Sequence, residues 1–125
     1  MGLINLDHIN ISTARLDETV AFFTDVLGLT VGDRPDFPFP GAWLYLNGRA
    51  VVHLVGYAVG RSPSMEAGLD HFALLADGYP DMLARLEKNG CEFRAIGVPG
   101  RITQQIFVLD PNGVTVELNF PNGFA

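Results

Sequence analysis

Several things are scarce in this chain, and each shortage closes a route. Cys91 is the only cysteine in 125 residues, so no disulfide can form within the chain and nothing argues for secretion. Basic residues number 8 against 14 acidic ones, and seven of the eight are arginine. The formal net charge of −6 and the lack of a basic run disfavour nucleic acid or an anionic membrane as partner. No apolar stretch approaches the roughly 20 residues of a membrane span, and no basic segment precedes an apolar signal region. A cytoplasmic address is the expectation. Histidine is scarce too, with only His8, His53 and His71. What is abundant is apolar surface: 48% hydrophobic and 18% charged residues describe one compact folded domain rather than a disordered segment.

The three histidines fall into a repeat. Leu6-Asp7-His8-Ile9-Asn10-Ile11 returns as Leu69-Asp70-His71-Phe72-Ala73-Leu74, an offset of 63. Each half then ends on an apolar run with one liganding side chain at its centre, Val51-Val52-His53-Leu54-Val55 and Val114-Thr115-Val116-Glu117-Leu118, an offset of 64. A duplicated module that sets His, His, His and Glu at matching positions predicts a site assembled about a pseudo-twofold axis.

Periodicity and turn chemistry give each half the order β-α-β-β-β. In the first, residues 4–12 alternate as a strand carrying His8. Ser12-Thr13 cap a helix over about 15–27 with Leu16, Val20, Phe23 and Leu27 as its stripe, and Gly28 ends it. Strands follow at 29–33, 43–46 and 50–55, the last two joined by Asn47-Gly48, after an irregular loop holding Pro35, Pro38, Pro40 and Gly41. A linker covers 58–65, dividing modules at about 1–57 and 66–125. The second module predicts strands at 69–75, 91–96, 103–109 and 114–120, and a helix over 79–89 with Met82, Leu83 and Leu86 inward. A module of this size has one sheet face to bury and little to bury it against, so pairing two is the natural solution.

His8, His71 and Glu117 around one divalent ion leave positions open for water or substrate. Glu117, between Val116 and Leu118, is costly to bury unless paired or metal-bound; an ion pair with Arg101 is the structural alternative. His53 fits a ligand, a hydrogen-bonding neighbour of the ligands or a general base. Phe37, Phe39, Trp43, Tyr45 and Phe107 are candidates for an aromatic wall, or for ordinary core. Arg101 and Gln105 are candidates to hold a substrate carboxylate or carbonyl. Asp110-Pro111-Asn112-Gly113 reads as a turn without a chemical role.

On these motifs, together with Phe22-Phe23-Thr24-Asp25-Val26-Leu27-Gly28-Leu29, the chain resembles the vicinal oxygen chelate superfamily over about 4–120. That superfamily includes glyoxalase I, bleomycin and fosfomycin resistance proteins and extradiol dioxygenases. The resemblance implies an α+β fold in which two paired β-α-β-β-β modules form a cupped mixed sheet around a metal. It puts His8, His71 and Glu117 on ligand positions of the first, fifth and eighth strands, and His53 on the fourth-strand position. Glyoxalase I usually has a carboxylate there, so its own reaction is placed in doubt. Bleomycin-binding members lack the ligands. Relatives of this size are commonly homodimers with each site shared between subunits, which would set His8 and His53 of one chain against His71 and Glu117 of the other.

The implied activity is a metal-dependent lyase or isomerase acting on a small oxygen-bearing substrate, with nickel, zinc, manganese, cobalt or iron as the ion. Glu117 or His53 would serve as base. An extradiol-type iron dioxygenase is one alternative, and a non-enzymatic small-ligand or metal-binding protein is another.

Overall fold

The structure, a computed structural model, describes residues 2, 5–57 and 62–125. It divides into two compact units, Met1–Arg61 and Ser62–Ala125. The first contains β1 (Ile9–Thr13), α1 (Leu16–Ala21), β2 (Thr30–Gly32), β3 (Gly41–Leu46) and β4 (Arg49–Gly56). The second contains β5 (His71–Leu75), α2 (Tyr79–Lys88), β6 (Phe93–Gly97), β7 (Gln104–Leu109) and β8 (Thr115–Phe120). Each unit is one four-stranded mixed sheet, ordered β1-β4-β3-β2 and β5-β8-β7-β6. The first strand of each runs parallel to the last, and the remaining pairs are antiparallel. The expected α+β class and strand order are what the chain adopts.

Strand alternation divides each sheet into a packed face and an open one. In the first unit Ile11, Ala42, Leu44, Val52 and Leu54 are buried, and α1 packs on β3 and β4. In the second, Ile106, Val108, Val116, Leu118 and Phe120 are buried, with Leu86 and Tyr79 of α2 also buried and the Tyr79 ring edge-on to Phe120 at 5.2 Å. The alternate residues, among them Trp43, His53, Phe107 and Glu117, line the open faces and are only partly covered.

Some boundaries differ from expectation for identifiable reasons. The strand expected over 4–12 begins at Ile9, leaving His8 just before it, while Ile4 lies outside the described residues. The expected Ser12-Thr13 cap is replaced: Thr13 belongs to β1, and its hydroxyl accepts the Arg15 N–H at 2.8 Å. The helix expected over 15–27 is α1 followed by a π-helical turn, Phe22–Val26. That turn re-phases the stripe, so the buried residues are Thr19, Phe22, Phe23, Val26 and Leu27, while Leu16 and Val20 are only half-covered. Thr19 is buried because its hydroxyl is satisfied locally by the Arg15 carbonyl at 2.7 Å. The Asn47-Gly48 hairpin turn is present, with both residues at positive φ (52° and 78°). Of the expected linker, residues 58–61 lie outside the described residues. Ser64 is bound into the second unit, its hydroxyl accepting the Thr115 N–H at 2.8 Å.

Candidate metal and substrate site

The repeat read from the sequence becomes a matched register. In the first unit Asn10 lies opposite His53, and His53 opposite Trp43. In the second, Ala73 lies opposite Glu117, and Glu117 opposite Phe107. The offsets of 63 and 64 therefore put the same four positions at the same places in two sheets. His8 and His71 precede these rows by two residues, and their side chains are each 38% exposed.

Both histidines are held in the same way. Nδ1 of His8 donates to Asp7 at 2.7 Å, and Nδ1 of His71 donates to Asp70 at 2.8 Å. A proton fixed on Nδ1 leaves the lone pair of the neutral ring on Nε2, the arrangement common in metal-binding imidazoles. The His8 contact also holds the Asp7 carboxyl below its ordinary value, chiefly through that hydrogen bond. These aspartates were visible in the sequence as part of the duplicated Leu-Asp-His motif, yet nothing in spacing alone gave them a role.

Nε2 of His71 stands 3.4 Å from a carboxylate oxygen of Glu117. A lone pair facing a carboxylate calls for a cation between them, either a proton or a metal ion. Two donors about 2.0–2.2 Å from one ion sit about 2.8–3.6 Å apart for octahedral to tetrahedral angles, so the separation fits a shared ion. The Glu117 side chain is only 12% exposed; besides His71 its partner is Gln105, which donates to the other carboxylate oxygen at 3.3 Å. On the same strand and face, Thr115 Oγ1 and Asn119 Oδ1 are buried with no hydrogen-bond partner among the described residues. Leaving a buried polar atom unsatisfied costs about 1–3 kcal/mol, so this face is built for a polar occupant. His71 and Glu117 thus fit two positions about a divalent ion. Among the described residues, no group of three or more His, Cys, Asp or Glu side chains is placed to hold an ion.

His53 is placed differently. Its ring stacks on His8 (3.8 Å, 12° between planes) and, on the other side, on Trp43 (3.9 Å, 11°). Parallel rings direct their in-plane lone pairs alongside one another, so His53 is here a stacked neighbour of His8. Its Nε2 lies 3.1 Å from the Ala50 carbonyl, which can only accept, so Nε2 carries the proton and Nδ1 the lone pair. Burial, and secondarily the neighbouring His8, lowers its pKa below the ordinary 6.5 and favours the neutral ring.

The other candidates separate. Trp43 and Phe39 line a cavity of about 170 Å³ beside His53, with Phe37 stacked on Phe39 at 5.1 Å. Phe107 lies edge-on to His71 at 5.9 Å. Tyr45 instead reaches back to donate to the Asp33 carbonyl at 2.6 Å, bracing the start of the loop. Gln105 is engaged with Glu117. Arg101 is exposed in the turn between β6 and β7, and no ion pair among the described residues joins it to Glu117. Two arginines without any sequence signal emerge: Arg34 in the wall of the first unit's cavity, and Arg94 lying 5.1 Å over Phe107.

Comparison with known proteins is consistent with this fold. Residues 5–118 match the family model described as the Glyoxalase/Bleomycin resistance protein/Dioxygenase superfamily. A protein named Glyoxylase I 4 from Arabidopsis thaliana is 28% identical, with 94% of this chain and 71% of that protein covered. A putative glyoxalase family protein from Bacillus anthracis superposes with a TM-score of 0.80 at 18% identity, covering 97% of this chain and 98% of that one. A mutant of the fosfomycin resistance protein FosX from Listeria monocytogenes, complexed with Mn(II) and 1S,2S-dihydroxypropylphosphonic acid, superposes at 0.78 with 13% identity, covering 95% and 93%.

Proposed function

The chain belongs to the glyoxalase/bleomycin resistance protein/dioxygenase superfamily, and on that premise we propose that it is a divalent-metal-dependent lyase or isomerase acting on a small oxygen-bearing substrate. The observation that carries the reading is the His71–Glu117 approach of 3.4 Å, with His71 oriented by Asp70 and the same device repeated at His8 and Asp7. His8, His71 and Glu117 would hold the ion. An ion so held supplies a Lewis acid for two neighbouring substrate oxygens and favours charge developing on them. The Mn(II) complex of the FosX mutant supports the choice of a divalent ion for this fold.

The chain's own residues divide the remaining work. Asp7 and Asp70 hold the Nδ1–H of each histidine and so aim Nε2. Gln105 holds one oxygen of Glu117 and so limits its rotation. His53, neutral with its lone pair on Nδ1, is proposed as the general base that takes a proton from a carbon next to the substrate carbonyl. Trp43, stacked on it, covers that face of the ring and shields it from water.

Metal analysis of tag-free protein purified without added ions tests the reading. The wild type should carry near-stoichiometric metal, and His71→Ala should lose it while remaining folded. Undiminished metal in that variant would refute the ligand assignment. Glu117→Gln should lose turnover far more than stability. Exchange of a substrate proton beside a carbonyl supports the lyase or isomerase reading, whereas oxygen-dependent cleavage of catechols with iron would replace it by the dioxygenase one.

A further inference from the structure

The cavity of the first unit contains a cation that the proposed chemistry does not use. Arg34 lies in its wall with Asn10, Phe37, Phe39, Trp43 and His53. The guanidinium is seated rather than dangling: Nη2 donates to the Phe39 carbonyl at 3.0 Å, and Cζ lies 5.1 Å from the centres of both the Phe37 and Phe39 rings. Gly41 leaves room first for the Leu54 carbonyl, which a Cβ there would strike, and also for Nη2, 2.7 Å from that Cβ position. Pro35, Pro38 and Pro40 stiffen the loop that presents it. A guanidinium offers five donors in a fixed fork, and only one is used by the hydrogen bonds of the described residues.

No carboxylate forms an ion pair with Arg34 among the described residues, although the chain has 14 acidic residues to 8 basic ones. Arg15, by contrast, approaches Glu18 at 3.6 Å. A partly covered, oriented and uncompensated guanidinium beside an aromatic cavity is what recognition of a planar anion requires. The size of the cavity bounds the rest of the ligand. At about 170 Å³ it is close to the roughly 150 Å³ cavity that holds one benzene molecule.

We propose that Arg34 is an anion-binding, specificity-determining residue, and that the pocket takes a small carboxylate whose planar apolar body is no larger than a single ring. The carboxylate meets the guanidinium fork, and the body lies among Phe37, Phe39 and Trp43, beside His53. This deepens the proposed function and rests on it for the pocket being the substrate pocket, but the binding itself depends on residues other than the three proposed ligands.

The test uses benzoate and its neutral analogue benzamide as probes, with the emission of Trp43, the only tryptophan, as readout. Titrations are run on the full chain as purified and after chelator treatment, on the wild type, Arg34→Lys, Arg34→Gln and His71→Ala. Wild type is expected to prefer benzoate by about tenfold or more, with or without chelator. Arg34→Gln should bind both probes alike, Arg34→Lys should keep a reduced preference, and His71→Ala should keep it in full. Equal or absent binding of the two probes by wild type would overturn the proposal without recourse to any variant. So would an undiminished preference in Arg34→Gln, or a preference that disappears with the metal. Failure of the metal reading would show instead as unchanged metal content in His71→Ala, so the two failures are distinguishable.

Discussion

At the scale of single residues, the candidate site is a set of side chains whose partners decide their chemistry. An aspartate directly before each of His8 and His71 fixes the tautomer and leaves the lone pair on Nε2, the atom proposed to meet the ion. Replacing Asp70 with Ala should weaken metal binding by about 10–100-fold while leaving the fold intact, as measured by competition with a chelator of known affinity. Asp110 shows the opposite use of a carboxylate. It is buried, and it accepts N–H groups of Asn112 and Val114 at 2.8 Å each and the Asn112 side chain at 2.9 Å. Burial outweighs these bonds and raises its pKa above the ordinary 3.8. Its contribution to stability is therefore greatest below pH 3.8 and is lost as pH rises through the raised value. The urea midpoint of wild type relative to Asp110→Asn should accordingly be most favourable near pH 3.5 and decline toward pH 7; a difference that grows with pH would contradict this account of the turn.

Secondary-structure elements translate this chemistry into position. Alternation along β4 and β8 sends Val52, Leu54, Val116 and Leu118 to the packed faces, so His53 and Glu117 must lie on the open ones. Periodicity made that division legible. It could not reveal the π-helical turn, because the choice depends on Phe22 and Phe23 both being buried, edge to face at 5.1 Å. Phe23→Ala should cost about 3–5 kcal/mol in chemical denaturation, since the ring is fully buried. Gly28, just after that turn, has φ of 82°, so Gly28→Ala should cost more than about 1 kcal/mol. The proline-rich loop before β3 was legible only as a loop. Arg34 acquires its place from contacts with Phe37, Phe39 and Gly41 that no period announces.

For the whole molecule, the matched halves carry the consequence. Of the proposed donors, His8 belongs to the first unit and His71 and Glu117 to the second. We propose that the ion is shared between subunits of a homodimer. Co-refolding equal amounts of His8→Ala and Glu117→Gln chains should then restore about a quarter of the wild-type sites, because half of randomly mixed dimers are mixed and each has one intact site. Metal content and turnover should recover together. No recovery on mixing would instead assign each site to a single chain.

The sequence by itself determined the duplication, the order of strands and helices, the alternation that turns His53 and Glu117 away from the packed faces, and the membership in the superfamily. Those properties follow from local periodicity, turn residues and a repeated motif, all of which are written along the chain. Only the tertiary structure decided that His53 stacks between His8 and Trp43, that Gln105 serves Glu117, that Tyr45 braces a loop, and that Arg34 stands in an aromatic pocket. Each of these depends on which side chains meet across strands and loops distant in sequence, and packing, unlike periodicity, has no local signature.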